Sequence, residues 1–184
     1  MKRTAPAPGG PCWIGLSTLG VPAAKTSYAA VFGRRCETDP REEAGGYTSA
    51  RLGESGVAAL SPLRQPGRPP AWTVSFAADD ADAAVARATA AGGSLPAGPM
   101  DVFDQGRFAV VADPADAAFS FRQGRAFAGA GLFHAPGTLG RAELLTRERD
   151  RALPFCAEVF GRSVRVLESY PQCGVGARTS AACW

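Results

Sequence analysis

The octapeptide YAAVFGRR, from Tyr28 to Arg35, recurs as CAEVFGRS from Cys156 to Ser163 in a chain of 184 residues. The match continues without a gap toward the N-terminal side of both copies. The paired positions are Leu16 and Leu144, Thr18 and Thr146, Phe32 and Phe160, and Gly33 and Gly161. A constant spacing over this length indicates a duplicated structural unit.

Around the first copy, the sequence predicts a strand, a helix and three more strands. PCWIGLST, residues 11–18, is typical of a short strand. GVPAAKTSYAAVFG then places Tyr28 and Val31 on one apolar helix face, and Gly33 ends the run. GES is typical of a hairpin turn between the last two strands. These three strands are predicted at about 34–38, 46–52 and 56–61. The order is therefore βαβββ.

The same order of elements follows directly. AWTVSFA, residues 71–77, predicts a strand, and DDADAAVARATAAGG predicts a helix that Asp79 or Asp80 opens and Gly92–Gly93 closes. DPAD is a turn between the last two of three further strands. These strands are predicted at about 94–98, 107–112 and 117–122. Two βαβββ modules, about 10–62 and 70–123, thus form one complete domain over residues 10–123.

Glycine and small residues after the second module predict a linker over 124–138. RAELLT and the helix RERDRALPFCAEVFG then repeat the opening of the chain. Residues 139–167 are therefore predicted to begin a second, incomplete domain of one strand, one helix and a short strand near 163–167. Pro154 lies inside this helix, where a proline typically costs about 3 kcal/mol or kinks the helix. Residues 168–184 show no regular period and are predicted to be irregular.

One strand and one helix cannot bury an apolar face by themselves. The side chains that need a partner are Leu144, Phe155, Val159 and Phe160. They can dock on the first domain, pair with another chain as a homodimer, or stay partly disordered, and the sequence leaves all three open. The aperiodic tail also leads to the hypothesis that the chain is a truncated or frame-shifted version of a longer two-domain protein.

The composition argues against a nucleic-acid or membrane partner. The formal net charge is +3, and the basic residues, nearly all arginine, are spread along the sequence. No segment approaches the roughly 20 apolar residues of a membrane span, and the N-terminal sequence lacks an apolar run. The expected location is therefore the cytoplasm. Five cysteines without metal spacing indicate reduced thiols, and a single histidine, His134, argues against Cys–His nucleophilic chemistry.

Four features together resemble the vicinal oxygen chelate superfamily, which contains glyoxalases, bleomycin-resistance proteins and extradiol dioxygenases. They are the paired βαβββ modules, the AAxxxYxxxFG helix of Ala23–Gly33, PAWTVSFAADDADAAVARATAAGG and GRFAVVADPADAAFSF. More narrowly, the chain is similar to tandem two-domain glyoxalase-like proteins of GC-rich bacteria. The resemblance implies an α+β fold in which paired modules form an open, cup-shaped, mostly antiparallel sheet with helices outside. It also implies that the inner face of the cup holds a metal or a small ligand.

The positions that the resemblance assigns to metal ligands carry no suitable donors here. By the alternation of side chains along strands, they fall on Trp13, Thr73, Ser120 and either Ala58 or Ala59. Zinc, nickel or iron would need three or four nitrogen or oxygen donors. A non-haem iron dioxygenase needs two histidines, which this chain cannot supply. The sequence therefore predicts a cup without a metal and without a cofactor.

The same alternation predicts which side chains line the cup. An aromatic ring with several hydroxyl groups suits a flat apolar or amphipathic molecule better than a phosphate. The predicted ligand-binding residues are Trp13, Gly15, Ser17, Thr73, Ser75, Ser120 and Arg122. The structural alternative, given equal weight, is that Trp13 only fills a small cup.

No catalytic residue is assigned. Asp101 and Asp104 lie in a loop and are more typical of turns than of acid–base catalysis, and Asp113 is typical of a hairpin. The sequence favours a metal-independent protein that binds a small molecule, with a glyoxalase-like or hydroxylase-like activity left open. The alternatives are a metal-dependent lyase or dioxygenase of the same superfamily and an inactive truncated fragment that acts only in assembly.

Overall fold

A computed structural model describes residues 6–64 and 67–161, together with the backbone of two strands at 163–166 and 171–174. The chain forms two compact units. The first unit contains Trp13–Val74 and Gly129–Gly140. The second contains residues 6–12, Ser75–Ala128 and the described residues from Arg141 onward.

The first unit has the predicted βαβββ order. Its strands follow the order β2-β3-β4-β1, in which β1 is parallel to β4 and the other neighbours are antiparallel. A short 3₁₀ turn, Glu42–Ala44, precedes β3. The elements are β1 (Pro11–Thr18), α1 (Val21–Phe32), β2 (Arg35–Thr38), β3 (Thr48–Leu52) and β4 (Ser55–Pro62). The helix and all four predicted strands are confirmed.

The second unit repeats this order and continues beyond it. Strand β5 (Ala71–Ala77) belongs to this unit from Ser75 onward. The strand order is β5-β8-β7-β6, and β5 is parallel to β8. The later elements are α2 (Ala81–Ala90), β6 (Ser94–Val102), β7 (Gly106–Ala112), β8 (Ala118–Gly124), α3 (Arg149–Phe160), β9 (Ser163–Val166) and β10 (Pro171–Gly174). The α+β class with mostly antiparallel strands is therefore confirmed.

Local chemistry explains several element boundaries. Asp80 caps α2, because its Oδ1 accepts a hydrogen bond from the Ala83 backbone N–H at 3.0 Å. Both copies of the repeated helix end on a glycine in the left-handed region, with φ of 65° at Gly33 and 57° at Gly161. The sequence predicted each of these signals. None of the helices in the described ranges is long and apolar enough to cross a membrane.

The core of the second unit is a cluster of phenylalanines between the sheet and α3. Phe119 is fully buried, and its ring centroid lies 5.8 Å from that of Phe76 and 5.3 Å from that of Phe121. From α3, Phe160 approaches Phe76 with a centroid distance of 4.6 Å, and Phe155 approaches Phe119 at 6.1 Å. The C-terminal helix therefore docks on the second βαβββ module, which is the first of the three outcomes that the sequence left open.

Gly93, which follows α2, leaves room for α3 to pack closely on the second module. A Cβ built on Gly93 would lie 2.9 Å from Cε2 of Phe155 and 2.8 Å from the Ala112 carbonyl oxygen. Distances of this size are too short for real carbon contacts, so a larger residue would displace α3. Pro154 is tolerated inside α3, where it lies on the exposed side of the helix.

Four segments differ from the sequence prediction. Residues 141–146, all of which are described, form no strand. An extended segment without a neighbouring strand leaves its backbone groups unpaired, so RAELLT cannot act as β1 does in the first copy. Strand β6 extends to Val102, so Asp101 lies in a strand rather than in the predicted loop. The predicted linker, residues 124–138, includes the buried Phe133, and Arg34 donates to the Gly137 carbonyl oxygen at 2.8 Å. In the tail predicted to be irregular, β10 pairs antiparallel with β9.

Replacing Phe155 with alanine should lower the free energy of unfolding by about 3–5 kcal/mol, because the change leaves a cavity in the phenylalanine cluster. Chemical denaturation followed by circular dichroism measures this loss. The matched control is Leu145→Ala, since Leu145 is 91% exposed and its loss should change stability by less than about 0.5 kcal/mol. Equal effects of the two substitutions would show that α3 is not docked.

Candidate ligand-binding site

The alternation of side chains along β8 separates the core from the opposite sheet face. Phe119 and Phe121 belong to the phenylalanine cluster, so Ser120 and Arg122 point to the other side. Ser75 on β5 is the register partner of Ser120 and shares that side. The polar residues predicted from the sequence thus occupy one face of the second unit.

Ser75 and Ser120 form a closed hydroxyl pair. Ser120 Oγ donates a hydrogen bond to Ser75 Oγ at 2.7 Å, and Ser120 is 0% exposed and Ser75 4% exposed. Each buried hydroxyl therefore has a partner inside the protein, which satisfies the requirement for a buried polar group. A ligand could reach Ser120 only by displacing the atoms that cover it. Their present role is to link β5 to β8.

Arg122 is buried beside an aromatic ring. Its guanidinium carbon lies 4.5 Å from the ring centroid of Phe127, and its Nε donates to the Phe127 carbonyl oxygen at 3.4 Å. In the same unit, burial raises the pKa of Cys12 to about 12, while the positive charge of Arg122 acts in the opposite direction. Burial outweighs the charge, so Cys12 is a protonated core thiol rather than a nucleophile.

Strand β1 carries the predicted site of the first unit. Trp13 is only 5% exposed, and its ring carbon Cη2 would lie 3.5 Å from a Cβ built on Gly56. Gly15 is different, because an added Cβ would meet no described atom within 4 Å. Ser17 Oγ lies 3.5 Å from Ser61 Oγ on β4. The face therefore has a filled end at Trp13 and an open stretch at Gly15.

The structure brings the predicted residues together in two groups, each within its own unit. Trp13, Gly15 and Ser17 alternate along β1 in the first unit, and Ser75, Ser120 and Arg122 occupy the polar face of the second. The seventh residue, Thr73, is half-buried and belongs to the first unit. The convergence of the two groups on a common hollow stays a prediction.

The described residues at the positions assigned to metal ligands do not form a metal site. Gly15 pairs with Ala59 between β1 and β4, so Ala59 rather than Ala58 is the residue at the fourth assigned position. Ala59 and Trp13 offer no side-chain atom that ligates a metal, Thr73 offers only a neutral hydroxyl, and Ser120 donates its hydroxyl to Ser75. Throughout the described residues, no three His, Cys, Asp or Glu side chains lie close enough to hold a metal ion. The side chains at the four assigned positions therefore do not fit a catalytic metal.

The carboxylates weighed as catalysts serve structure. Asp101 accepts from Arg107 at 3.3 Å and from Arg125 at 3.0 Å, and Asp104 accepts from the Gln105 amide at 2.6 Å. Asp113 Oδ1 accepts from two backbone N–H groups of the β7–β8 turn, both at 2.8 Å. The hairpin role predicted for Asp113 is confirmed.

Sequence reasoning did not predict a shallow pocket of about 290 Å³ beside β2 and β3. Of its two acidic side chains, Asp39 forms a hydrogen-bonded ion pair with Arg41 at 2.6 Å, which lowers the pKa of Asp39 to about 2. The pocket is open to solvent and carries no member of the predicted set. Its lining is Glu37, Thr38, Asp39, Pro40, Tyr47 and Ser49. The pocket forms because β3 pairs antiparallel with β2 and brings residues 37–40 next to Tyr47 and Ser49. A local sequence motif does not predict this pairing.

The fold and the open sheet face place the chain in a class of small βαβββ-based binding proteins and enzymes. Residues 13–121 match the model of the glyoxalase/bleomycin resistance protein/dioxygenase superfamily. Because the match covers more than half of the chain, this protein belongs to that superfamily.

Two curated relatives are similar over most of the chain. "Putative glyoxylase CFP32" of Mycobacterium tuberculosis is 37% identical over 171 residues, which cover 91% of this chain and 66% of the relative. "Anthracycline biosynthesis protein DnrV" of Streptomyces peucetius is 39% identical over 169 residues, covering 84% of this chain and 62% of the relative. The chain therefore spans slightly less than two thirds of the length of either relative.

Solved structures share the fold. The Mn(II)-bound glyoxalase from Novosphingobium aromaticivorans aligns with a TM-score of 0.61 and 18% identity over 89% of this chain and 54% of that one. An extradiol ring-cleaving dioxygenase from B. fuscum aligns with a TM-score of 0.63 and 16% identity over 99% of this chain and 55% of that one. At these identities the likeness concerns the fold alone.

Cys12 should react with iodoacetamide at pH 8 at least about tenfold more slowly than the half-buried Cys36, because its thiolate is rare. Its rate should rise about tenfold per pH unit between pH 8 and 10, as the thiolate fraction rises. Peptide mass spectrometry measures both rates, and in denaturant they should become equal. A plateau of the Cys12 rate near pH 9 would contradict a raised pKa.

The same pKa shift has a consequence for stability. Folded Cys12 stays protonated up to about pH 12, whereas the unfolded thiol ionises near its ordinary value of 9.0. Its contribution to the free energy of unfolding is therefore complete below pH 9 and is lost as the pH rises toward 12.

Proposed function

We propose that this protein binds a flat apolar or amphipathic small molecule, without a metal, on the face of the first unit that carries Gly15, Ser17 and Thr73. The supporting observation is the open space above Gly15, where a side chain would meet no described atom within 4 Å. A strand residue without a side chain lets a planar molecule approach the backbone closely.

The chemistry of this face fits such a ligand. Ser17 and Thr73 supply hydroxyl groups that donate or accept hydrogen bonds, and both residues are half-buried rather than closed off. Trp13 forms the closed end of this face, since it is buried and packs beside Gly56 of β4. A few polar groups beside apolar surface are typical of small-molecule sites.

The names of the two relatives suggest ligand classes. DnrV is named for anthracycline biosynthesis, and anthracyclines are flat polycyclic aromatics that carry polar groups, which is the shape that the open face favours. CFP32 is named as a glyoxylase, and this name supports a second candidate, a lyase activity. The donor set described above disfavours a metal-dependent form of that activity. Anthracyclines are therefore the first probe.

Filling the open space should weaken binding. With the fluorescent anthracycline daunorubicin as the probe, Gly15→Leu should raise the dissociation constant at least tenfold, because the new side chain occupies the ligand's position. Gly140→Leu is the matched control, since a Cβ on Gly140 also meets no described atom within 4 Å but lies outside the strands. Equal affinities of the two variants would contradict the proposed face, and failure of the wild type to bind would remove anthracyclines as its ligand class.

Removing divalent metals should leave binding and stability unchanged. Purified protein should contain less than about 0.1 equivalent of manganese, nickel, zinc or iron by elemental analysis, because none of the assigned positions carries a His, Cys, Asp or Glu side chain. Dialysis against EDTA should not shift the melting temperature or the dissociation constant. About one equivalent of metal that EDTA removes, with loss of binding or of a lyase activity, would favour the second candidate.

A further inference from the structure

The outer side of α1 exposes apolar residues that a core helix would normally bury. Helix α1 lies wholly within the described residues, and none of its side chains is buried. Val31 is 68% exposed and Phe32 is 41% exposed. With Ala24 and Tyr28, these residues form one side of the helix, which we call the α1 face.

Helix α3 is the second copy of this helix, and its matching side is buried. Alignment of the two copies pairs Val31 with Val159 and Phe32 with Phe160. Val159 is 3% exposed and Phe160 is 6% exposed. The same alignment pairs the other members of the α1 face, Ala24 and Tyr28, with Ala152 and Cys156, which are 2% and 0% exposed. The matching side chains are therefore buried in α3 and at least partly exposed in α1.

The cover of α3 is a βαβββ module. Phe160 contacts the rings of Phe76, Phe119 and Phe121, with centroid distances of 4.6, 5.5 and 5.9 Å. Helix α2 of the same module also packs against α3. The repeated helix thus has a defined partner in this protein, a helix and sheet surface rich in phenylalanine.

We propose that the α1 face is a docking surface for a second βαβββ module of the kind that residues 71–124 form. Such a module would cover Val31 and Phe32 as the present one covers Val159 and Phe160. This surface is separate from the proposed ligand face on β1, and the two proposals can fail independently.

The α1 face is organised for binding. Tyr28 stacks on Phe32 with a centroid distance of 5.9 Å, and Trp72 meets Tyr28 edge-on at 5.4 Å while its Nε1 donates to the Tyr28 hydroxyl at 3.2 Å. The guanidinium carbon of Arg34 lies 4.8 Å from the Phe32 ring centroid. Side chains that are already held lose less entropy on binding, which favours association.

A second copy of this chain is a poor occupant. The module of each copy already has α3 seated on its phenylalanine surface, and α1 could reach that surface only by displacing α3. The position matched to Phe155 in α1 is Ser27, so α1 lacks the ring that packs against Phe119 in the present arrangement. A module that lacks a helix of its own on that surface is the better partner.

The test supplies such a module within the full chain. A second copy of residues 71–124 is joined after Trp184 through a flexible glycine–serine linker, and amide hydrogen exchange of Val21–Phe32 is compared with that of the unmodified chain. The docked module should slow exchange in the last two turns of α1 at least tenfold, and the amides of the appended module should themselves be protected.

Two single substitutions separate docking from a general effect of the fusion. Val31→Glu places a charge in the centre of the α1 face and should restore fast exchange in the fused protein. Ala30→Glu is the matched control on the preceding residue, which is exposed and corresponds to the exposed Glu158 of α3, and it should leave the protection intact. In the unmodified chain neither substitution should change the melting temperature by more than about 1 °C, since both residues are exposed.

Protection that Val31→Glu removes and Ala30→Glu keeps supports the proposal. Unchanged exchange of α1 would overturn it, and so would an appended module that stays unprotected, because α1 would then not supply the cover that α3 supplies. Protection of α1 in the unmodified chain that grows with concentration would overturn it in favour of self-association.

Discussion

The alternation of side chains along β8 is the constraint that organises the second unit and, through it, the docking of α3. Phe119 and Phe121 project to one side of this strand, while Ser120 and Arg122 project to the other. A shift of one residue in register would place two phenylalanines on the polar face and a buried cation in the core. The core cluster, the seat of α3 and the polar face of the second unit all follow from this single register.

The duplication gives the chain two copies of the helix that packs on this core. Each copy of the repeated helix ends on a left-handed glycine and carries an apolar side, but only the copy near the C-terminus is covered. An apolar helix side does not stabilise the fold by itself, because the stabilisation comes from packing against another surface. The same apolar side is therefore exposed in α1 and buried in α3.

Local sequence signals predicted most of the fold, and tertiary contacts decided the remainder. Gly33, Asp80 and the turn at Asp113 act on neighbouring backbone groups, so the chain alone reveals them. RAELLT has the composition of a strand but no neighbouring strand to pair with, a fact that only the three-dimensional structure contains. The candidate site shows the same division. The alternation of side chains along β8 indicated that Ser120 lies opposite Phe119 and Phe121, but it did not reveal the burial of Ser120 or its hydrogen bond to Ser75.

If the proposed function is correct, ligands approach the β1 face at Gly15 rather than the shallow pocket beside β2 and β3. Amide chemical-shift mapping of the ¹⁵N-labelled full chain, titrated with a hit from a thermal-shift screen of planar aromatics, distinguishes these two sites. We expect the largest changes at Gly15, Ser17 and Thr73. Changes concentrated at Tyr47 and Ser49, with β1 unaffected, would refute binding at the β1 face.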